Sequence, residues 1–432
     1  METPKPTYRS PWIWVPSLYF AQGVPYVVAM TVSVIMYKRL GISNTDIALY
    51  TSWLYLPWVI KPLWSPFVDM FSTKRLWIVS LQFVIGICLA LAAFALPLPA
   101  FFTYTLAIFW LMAFGSATHD IAADGFYMLA LEQHQQAAFI GVRSTFFRIA
   151  MITGTGILVV LAGQIETRSG GNIPLAWSVT FGVLAGLFLL FFAYHKLMLP
   201  YPTADRPTLS EATQGVWKEF VRTFGLFFRK KGIVGTLAFL LFYRFAEAQL
   251  VKLVSPFLLD AREKGGLGLT TSEVGIVYGT VGVIAMTFGG LLGGWVISKK
   301  GLKSLLWVMV LSIHLPDAMF VYLSQVQPEN LLLINIAVAI EQFGYGFGFT
   351  AYMLYMILVA EGEHKTAHYA ICTGFMALGM MVPGMFSGMI QEAIGYSNFF
   401  LWVILATIPG FFVAALVKID PQFGKKVEQG KK

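Results

Sequence analysis

Long apolar segments separated by short polar stretches recur along the chain. Twelve of them approach or exceed the roughly 20 residues that a helix needs to cross a bilayer. They cover residues 12–37, 47–68, 76–96, 102–129, 139–162, 175–198, 233–258, 273–297, 304–324, 331–360, 367–392 and 397–418. An even number of spans places both chain ends on one side. We therefore expect an all-α polytopic membrane protein with twelve transmembrane helices.

Composition and charge agree with this interpretation. Of 432 residues, 57% are hydrophobic and only 12% are charged, whereas soluble domains carry about 25% charged residues. The net charge of +8 does not indicate nucleic-acid binding, because 20 basic residues fall in loops and tails on one side and 5 on the other. Basic loops face the cytoplasm. Both termini are therefore predicted to be cytoplasmic.

The longest loop divides the chain into two halves. It opens with the turn-rich "PYPTADRP" and continues as a stretch whose Val216, Phe220, Phe224 and Phe227 share one helical face. Such a face predicts an amphipathic helix on the inner leaflet. The predicted organisation is a six-helix bundle at 1–198, a cytoplasmic linker with this helix at 199–232, and a second bundle with a short cytoplasmic tail at 233–432.

The two halves also resemble each other. Segments 2 and 8 begin with "SNTDIALY" and "TTSEVGIVY", each a polar cap followed by an acid in the first turn. Segment 8 carries four small residues that favour close helix packing, namely Gly289, Gly290, Gly293 and Gly294. Two similar six-helix bundles resemble the major facilitator superfamily, whose substrate site lies between the halves.

Several classes of chemistry have no signal in the sequence. Cys88 and Cys372 lie in apolar runs and are expected to be small buried hydrophobes. The start "METPKPTYRSPW" has no signal-peptide pattern and is expected to be a cytoplasmic tail. There is no phosphate-binding loop, zinc-ligand spacing or nucleophile elbow. We expect no cofactor, no metal and no ATP-driven pumping.

Segment 4 ends in "GSATHDIAADGFYML", which places two carboxylates in an apolar helix. A charge at the bilayer centre costs about 2.5–3.5 kcal/mol, so these residues need a cavity, a partner or a function. Asp120 and Asp124 are one turn apart on one face, and two carboxylates in a poorly hydrated site hold a proton readily. Both are predicted proton-coupling residues. A structural or gating role stays open, with Asp124 solvated near the cytoplasmic end.

Other predicted helices carry buried cations and acids. In segment 5, Arg148 is expected to pair with a segment-4 aspartate, while Arg143 is expected to reach toward the cytoplasm. Segment 7 contains Arg244 and Glu247, whose spacing allows a pair within the helix, and Lys252 beyond them. Arg148, Arg244 and Lys252 are candidate substrate contacts, and Glu247 is a further candidate for proton coupling.

Aromatic and polar stripes complete the candidate site. Segment 10 holds Glu341, a proton-coupling candidate, on one face with Tyr345 and Tyr352. Segment 1 holds Tyr19, Gln22 and Tyr26 on one face. Aromatic stripes in membrane helices are usually packing, but the polar side chains favour ligand contact, so the four tyrosines and the glutamine are candidate substrate contacts. Asp317, beside Pro316 in segment 9, is expected to be structural.

The order of these motifs resembles the AmpG family of muropeptide permeases. "IKPLWSPFVD" is similar to the family's Lys-Phe-Leu-Trp-Ser-Pro segment, and "ATHDIAADGF" to its Asp-Ile-x-x-Asp segment. "FFRIAM", "FYRFAEA", "SEVGIVYGTVGVIA" and "IEQFGYGFGFTAYM" match further family segments. The resemblance carries over Asp120, Asp124, Arg148, Glu273 and Glu341, with Arg244 and Glu247 as charge-preserving replacements. The Asp-Ile-x-x-Asp string also resembles endomembrane acetyl-CoA transporters.

The resemblance implies proton symport of anhydro-muropeptides or anhydro-N-acetylmuramic acid across a bacterial inner membrane, as in cell-wall peptidoglycan recycling. The partners are then a small amino-sugar substrate, protons and lipid, with no nucleic acid, and a monomer is expected. Transport of acetyl-CoA or another anionic metabolite stays open, because that ligand is also anionic. So do two other classes, a membrane acyltransferase using His119 with Asp120 as a base, and a non-transporting sensor.

Overall fold

The computed structural model describes residues 9–206, 213–362 and 364–424, and within these ranges the regular structure is helical, without strands. The helices of the first 206 residues are α1 (Pro11–Val27), α2 (Ser33–Arg39), α3 (Asn44–Trp53), α4 (Leu56–Phe71), α5 (Lys74–Ala95), α6 (Phe101–Ala130), α7 (Gln133–Ile152), α8 (Val159–Arg168) and α9 (Ile173–Met198). Short π-helical turns at Val28–Val32 and Thr153–Leu158 join α1 to α2 and α7 to α8.

Within the described residues, ten further helices lie between residues 213 and 416. They are α10 (Thr213–Phe228), α11 (Ile233–Phe242), α12 (Phe245–Leu259), α13 (Thr271–Val274), α14 (Val283–Lys300), α15 (Leu302–His314), α16 (Ala318–Val326), α17 (Leu331–Ala360), α18 (Lys365–Ala406) and α19 (Ile408–Leu416). A π-helical stretch, Gly275–Gly282, joins α13 to α14, and 3-10 turns lie at Arg262–Lys264 and Leu315–Asp317.

Nine helical spans among the described residues are long and apolar enough to cross a membrane. Three features separate this number from the expected twelve. The second predicted segment breaks at Leu54–Tyr55 and the seventh breaks between Phe242 and Phe245. The last two segments meet at a kink at Gly395, whose φ of 76° and ψ of 166° are not helical, and together they count as one span. Large apolar side chains such as Phe94 and Leu190 are 78% and 68% exposed, as expected of helices surrounded by lipid.

The chain forms two compact units. The first contains residues 1–41 and 60–220, and the second contains residues 42–59 and 221–432. These bounds differ from the predicted split at the linker, because α3 packs along α18 and so belongs with the second unit. Asn44 Nδ2 donates to Gln391 Oε1 (2.6 Å), and Thr45 Oγ1 donates to Glu392 Oε2 (2.6 Å), which fixes the start of α3 against α18.

Each unit has its own apolar core. In the first unit, Trp14 and Leu18 of α1 pack with Phe126 of α6 and are fully buried. In the second unit, Phe239 of α11 and Tyr352 of α17 are stacked with ring centroids 5.7 Å apart. Packed aromatic side chains exclude water and lipid from these cores, so a polar group inside them needs a partner within the protein.

The predicted helix caps are confirmed. Ser43 Oγ accepts from the backbone N–H of Asp46 (3.0 Å), and Thr270 forms a capping box with Glu273. Glu273, which the family resemblance carried over, therefore has an identified structural role at the start of α13. The hydroxyl and acid at these positions satisfy backbone N–H groups that would otherwise lack acceptors at the helix start.

The linker helix is only partly described. α10 is observed where it was predicted, with Phe227 buried and Lys218, Arg222 and Arg229 exposed. The side chains of Val216 and Phe220, which the amphipathic prediction also used, lie outside the described set, as do residues 207–212 and the tail from 425. Lys230, just after α10, donates through Nζ to the backbone carbonyls of Val359 and Glu361 at the end of α17.

Candidate functional site

Within the described residues, each compact unit contains a group of ionisable side chains that includes candidate site residues. In the first unit, Asp124 of α6 accepts hydrogen bonds from side chains of two other helices. Its Oδ1 accepts from Arg143 Nη2 (2.8 Å) and from the hydroxyl of Tyr19 (3.1 Å). The guanidinium of Arg143 also lies over the rings of Tyr19 and Tyr127, at 4.5 and 5.2 Å from their centroids. This arrangement holds an ion pair between two tyrosines.

The ion pair adds a partner that the sequence did not identify. Arg143 was expected to reach toward the cytoplasm, and in the structure it is the cation that binds Asp124. The two side chains retain 30% and 39% exposure, so water still reaches the pair. Tyr19, a predicted substrate contact, uses its hydroxyl for Asp124 in this structure. Sequence spacing does not favour Arg143 over Arg148, because both lie on the helix that follows α6.

Asp120 has a different cation. Lys61 Nζ of α4 lies 3.7 Å from Asp120 Oδ2, and the aspartate side chain is 12% exposed. Lys61 was missed as a site residue, although it begins the "KPLWSP" motif that carries the family resemblance. The two segment-4 aspartates therefore share a face but bind cations from α4 and α7. Arg148 is partly buried on α7 and stays a predicted partner and substrate contact.

A buried hydrogen-bond chain supports α6 beside Asp120. The Oε1 atom of Gln82 accepts from His195 Nδ1 (2.9 Å), and its Nε2 donates to His119 Nε2 (3.1 Å). His195 Nε2 then accepts from the hydroxyl of Ser17 (3.0 Å). Gln82 and His195 are 0% exposed and His119 is 1% exposed. Since an amide oxygen only accepts, Gln82 fixes both imidazole orientations, which links α1, α5, α6 and α9.

In the second unit three carboxyl groups converge; we call Glu247, Asp317 and Glu341 the carboxyl cluster. They come from α12, the 3-10 turn before α16, and α17, and one oxygen of each lies within 4.8 Å of the others. Their exposures are 0%, 1% and 1%. Glu341 Oε2 accepts from Gln342 Nε2 (2.9 Å). Within the described residues, both oxygens of Glu247 and of Asp317 have no hydrogen-bond partner.

Two predictions meet in this cluster and a third residue joins them. Glu247 and Glu341 were predicted to take part in proton coupling, and the structure brings them together. Asp317 was expected to be structural, yet it lies with the other two. The signal was present as a lone acid in an apolar segment, but its partners are about 70 residues before it and about 25 after it, so only the tertiary fold reveals the cluster.

Arg244 lies next to the cluster but does not pair within its helix as predicted. The helix breaks before it, with Arg244 at φ −110° and ψ 22°. Among the described residues it has no carboxylate within 4.0 Å; its Nη2 donates to the hydroxyl of Tyr345. The guanidinium lies 4.6 Å from the ring centroid of Phe349 and 5.2 Å from that of Tyr345. The predicted spacing rule assumed a continuous helix, which this break removes.

The other predicted substrate contacts have varied surroundings. Lys252 Nζ donates to Thr51 Oγ1 (3.0 Å) and lies 5.2 Å from the ring of Tyr55. Tyr352 is 0% exposed, and its hydroxyl donates to the carbonyl of Leu240. Gln22 is 7% exposed and Tyr26 packs on Phe147 with centroids 6.3 Å apart. Each of these positions stays a predicted contact.

The chain is polytopic and helical, and its apolar helices carry ion pairs and buried carboxyl groups that lack hydrogen-bond partners among the described residues. These are features of a secondary transporter. The sequence profile of the Major Facilitator Superfamily matches residues 17–382, and the chain belongs to this superfamily. Members of the superfamily are transporters rather than enzymes, which removes the acyltransferase alternative.

The chain is similar to proteins of the family that its motifs resemble. A Rickettsia conorii protein named as a putative transporter, AmpG 4, is 26% identical over 92% of this chain and 94% of its own length. The anhydromuropeptide permease of Escherichia coli K12 is 25% identical over 92% of this chain and 77% of its own length. The crystal structure of the nucleoside transporter NupG matches with a TM-score of 0.66 and 16% identity, covering 94% of this chain and 98% of that chain. The predicted resemblance to AmpG permeases is confirmed, and the structural match supports the fold.

Proposed function

We propose that the protein is a proton-coupled importer of anhydro-muropeptides or anhydro-N-acetylmuramic acid. The observation that carries this proposal is the buried Arg244, which is 7% exposed, beside three buried carboxyl groups. The guanidinium suits the carboxylate of a muramyl ligand, and Tyr345 and Phe349 suit a sugar face. The resemblance to an anhydromuropeptide permease over most of the chain supports this substrate class.

The carboxyl groups have different roles in this proposal. Asp120 and Asp124 lie beside the cations Lys61 and Arg143, and in this proposal they act through ion pairs that break and re-form as the transporter changes conformation. Glu247 and Glu341 lie in the carboxyl cluster, where a proton is the simplest way to remove unpaired charge. Proton coupling therefore uses both groups of acids. Asp120 and Asp124 form ion pairs that change with conformation, and Glu247 and Glu341 carry the proton.

The setting follows from the same resemblance. We propose that the protein works as a monomer in the bacterial inner membrane, with both termini and the 199–232 linker cytoplasmic. The excess of basic residues in loops on that side supports this orientation. Import in this orientation returns wall fragments to the cytoplasm with the inward proton gradient as the driving force.

The test is uptake into proteoliposomes that contain the purified chain. Labelled 1,6-anhydro-N-acetylmuramic acid, its peptide-bearing form and acetyl-CoA are offered separately, with and without an imposed proton gradient. The proposal expects saturable, gradient-driven accumulation of the anhydro-muramyl ligands that a protonophore collapses. Saturable uptake of acetyl-CoA with none of either sugar assigns the protein to the alternative substrate class. No uptake of any of the three supports the sensor alternative.

A further inference from the structure

We propose that Glu247, Asp317 and Glu341 act as one proton-binding unit that takes up a proton whenever a carboxylate ligand occupies Arg244. The inference rests on the proposed function and adds two things to it. It includes Asp317 in the coupling machinery, and it sets the coupling at one proton for each ligand carboxylate. It also separates the second unit, where the proton binds, from the ion pairs of Asp120 and Asp124.

The first support is the state of the three carboxyl groups. All three are essentially inaccessible to solvent, and an oxygen of each lies within 4.8 Å of the others. Glu341 has one hydrogen bond, from Gln342 Nε2, whereas Glu247 and Asp317 have none in the described part of the chain. Ionised carboxylates in such surroundings lack both water and donors, and like charges at this separation repel strongly. The cluster therefore carries protons.

The second support is independent of the carboxyl groups. Arg244 is 7% exposed, and its Nε–H has no acceptor among the described residues. The guanidinium interacts electrostatically with Glu247 without a direct ion pair, and Tyr345 accepts from one of its amino groups. An arginine always carries its charge. A buried guanidinium with an unused donor beside the cluster is suited to an anion that is not part of the protein, such as a carboxylate.

Among the residues that the structure describes, few other charged or titratable groups face the cluster. Tyr278 of the π-helical stretch interacts electrostatically with Glu341 and Glu247, and Tyr345 and Tyr55 lie near Tyr278. His314, one turn before Asp317, has no hydrogen bond at either nitrogen within the described chain and packs on Tyr243 and Phe411. The amino group of Lys252 is directed to Thr51 and Tyr55. Arg244 is therefore the cation that sets the charge of the cluster.

Charge balance then fixes the coupling. Without ligand, one ionised carboxylate, Glu247, balances Arg244, and Asp317 and Glu341 hold their protons. When a ligand carboxylate binds Arg244, it supplies the balancing negative charge itself. Glu247 then takes a proton from water, and the site with ligand is again neutral. Departure of the ligand reverses both events, so the ligand carboxylate and the proton move together and no bond other than O–H forms or breaks.

The direct test counts protons during binding to the purified full-length protein. Titration calorimetry with 1,6-anhydro-N-acetylmuramic acid, run near neutral pH in buffers of different ionisation enthalpy, is expected to show uptake of about one proton for each ligand. The analogue 1,6-anhydro-N-acetylglucosamine lacks the lactyl carboxylate and is expected to bind without uptake. Glu247→Gln is expected to remove proton uptake while ligand still binds, and Glu263→Gln, an exposed acid of the same unit, to leave it unchanged.

A second measurement needs no ligand. Infrared spectra of the protein near neutral pH are expected to contain the C=O stretching band of protonated carboxyl groups. Asp317→Asn and Glu341→Gln should each reduce this band, while Glu263→Gln should not. The same pair of variants also checks folding, because asparagine and glutamine keep the shape and neutrality of the protonated acids.

The outcomes separate the inference from the proposed function. Binding of the muramyl ligand without proton uptake, binding that depends on sodium ions, or a wild-type spectrum without the protonated band contradicts the inference while import itself stands. If neither sugar binds the wild-type protein, the proposed function fails. The infrared variants then decide alone, and an unchanged band in Asp317→Asn shows that the cluster does not hold protons as a unit.

Discussion

Replacing Gly289 by alanine tests the packing that places Glu341. α14 and α17 lie side by side, and a Cβ added at Gly289 would sit 2.1 Å from the carbonyl oxygen of Phe343 and 3.0 Å from its carbonyl carbon. A carbon–oxygen contact is normally about 3.3–3.6 Å, so the two helices must separate by about 1.2–1.5 Å to admit the methyl group. The obstructing atoms are backbone and have no rotamer to change.

The expected cost follows from that geometry. Overpacking of this kind costs about 1–3 kcal/mol, while alanine in a helix gains up to about 1 kcal/mol over glycine. Gly294, five residues later on the same helix, has nothing within 4 Å of an added Cβ. Gly294→Ala therefore receives only the gain. Since both variants receive that gain, they should differ by the overpacking cost alone, about 1–3 kcal/mol in unfolding free energy.

The assay is thermal unfolding of both variants in the same detergent, followed by intrinsic fluorescence and by loss of the monodisperse peak. A difference of this size corresponds to roughly 2–12 °C, at about 2–4 °C per kcal/mol for a unit of this size. Gly289→Ala should melt below wild type, and Gly294→Ala at or slightly above it. Equal melting temperatures for the two variants, or a lower one for Gly294→Ala, would refute the close approach of α14 and α17.

Three further predictions concern the first unit and the orientation. In a double-mutant cycle of Asp124→Asn and Arg143→Gln, thermal unfolding should give a coupling energy of about 1 kcal/mol, since the pair is partly exposed; zero coupling means that the pair is incidental. Gln82→Leu leaves two buried imidazole nitrogens without partners and should destabilise the protein by about 2–4 kcal/mol. Gln325→Leu, at an exposed position, should have little effect. Similar melting temperatures for the two variants would argue against the hydrogen-bond chain through Gln82. A cysteine at Gly171 should react with an impermeant reagent from outside and one at Ala204 should not, and the reverse pattern inverts the orientation.

Much of the helical framework could be predicted because hydropathy and capping are local properties. The length of each apolar run set the spans, and the hydroxyl and acid at Ser43, Asp46, Thr270 and Glu273 marked two helix starts that the structure confirms. The breaks at Leu54–Tyr55 and at Arg244 were not predicted, because hydropathy carries no information about backbone dihedral angles. A helix that stays apolar through a break looks continuous in sequence.

The site was only half predictable for a different reason. The sequence identified the carboxylates that lie within apolar segments, but it did not identify their partners, because partners come from other helices. By sequence spacing, Arg143 and Arg148 are equally good candidates to pair with Asp124. Only the packing of α6 against α7 shows that Arg143 binds it. Asp317, beside Pro316 and His314 in segment 9, was expected to be structural, whereas its neighbours in space are Glu247 and Glu341.

The most direct test of the central claim is proton movement that depends on the substrate carboxylate. Vesicles containing the purified protein and an internal pH dye receive 1,6-anhydro-N-acetylmuramic acid from outside without any imposed gradient. The account predicts acidification of the lumen with this ligand, none with 1,6-anhydro-N-acetylglucosamine, and exchange of labelled ligand without acidification in Glu247→Gln. Entry of the muramyl ligand into wild-type vesicles with no change in internal pH would contradict it.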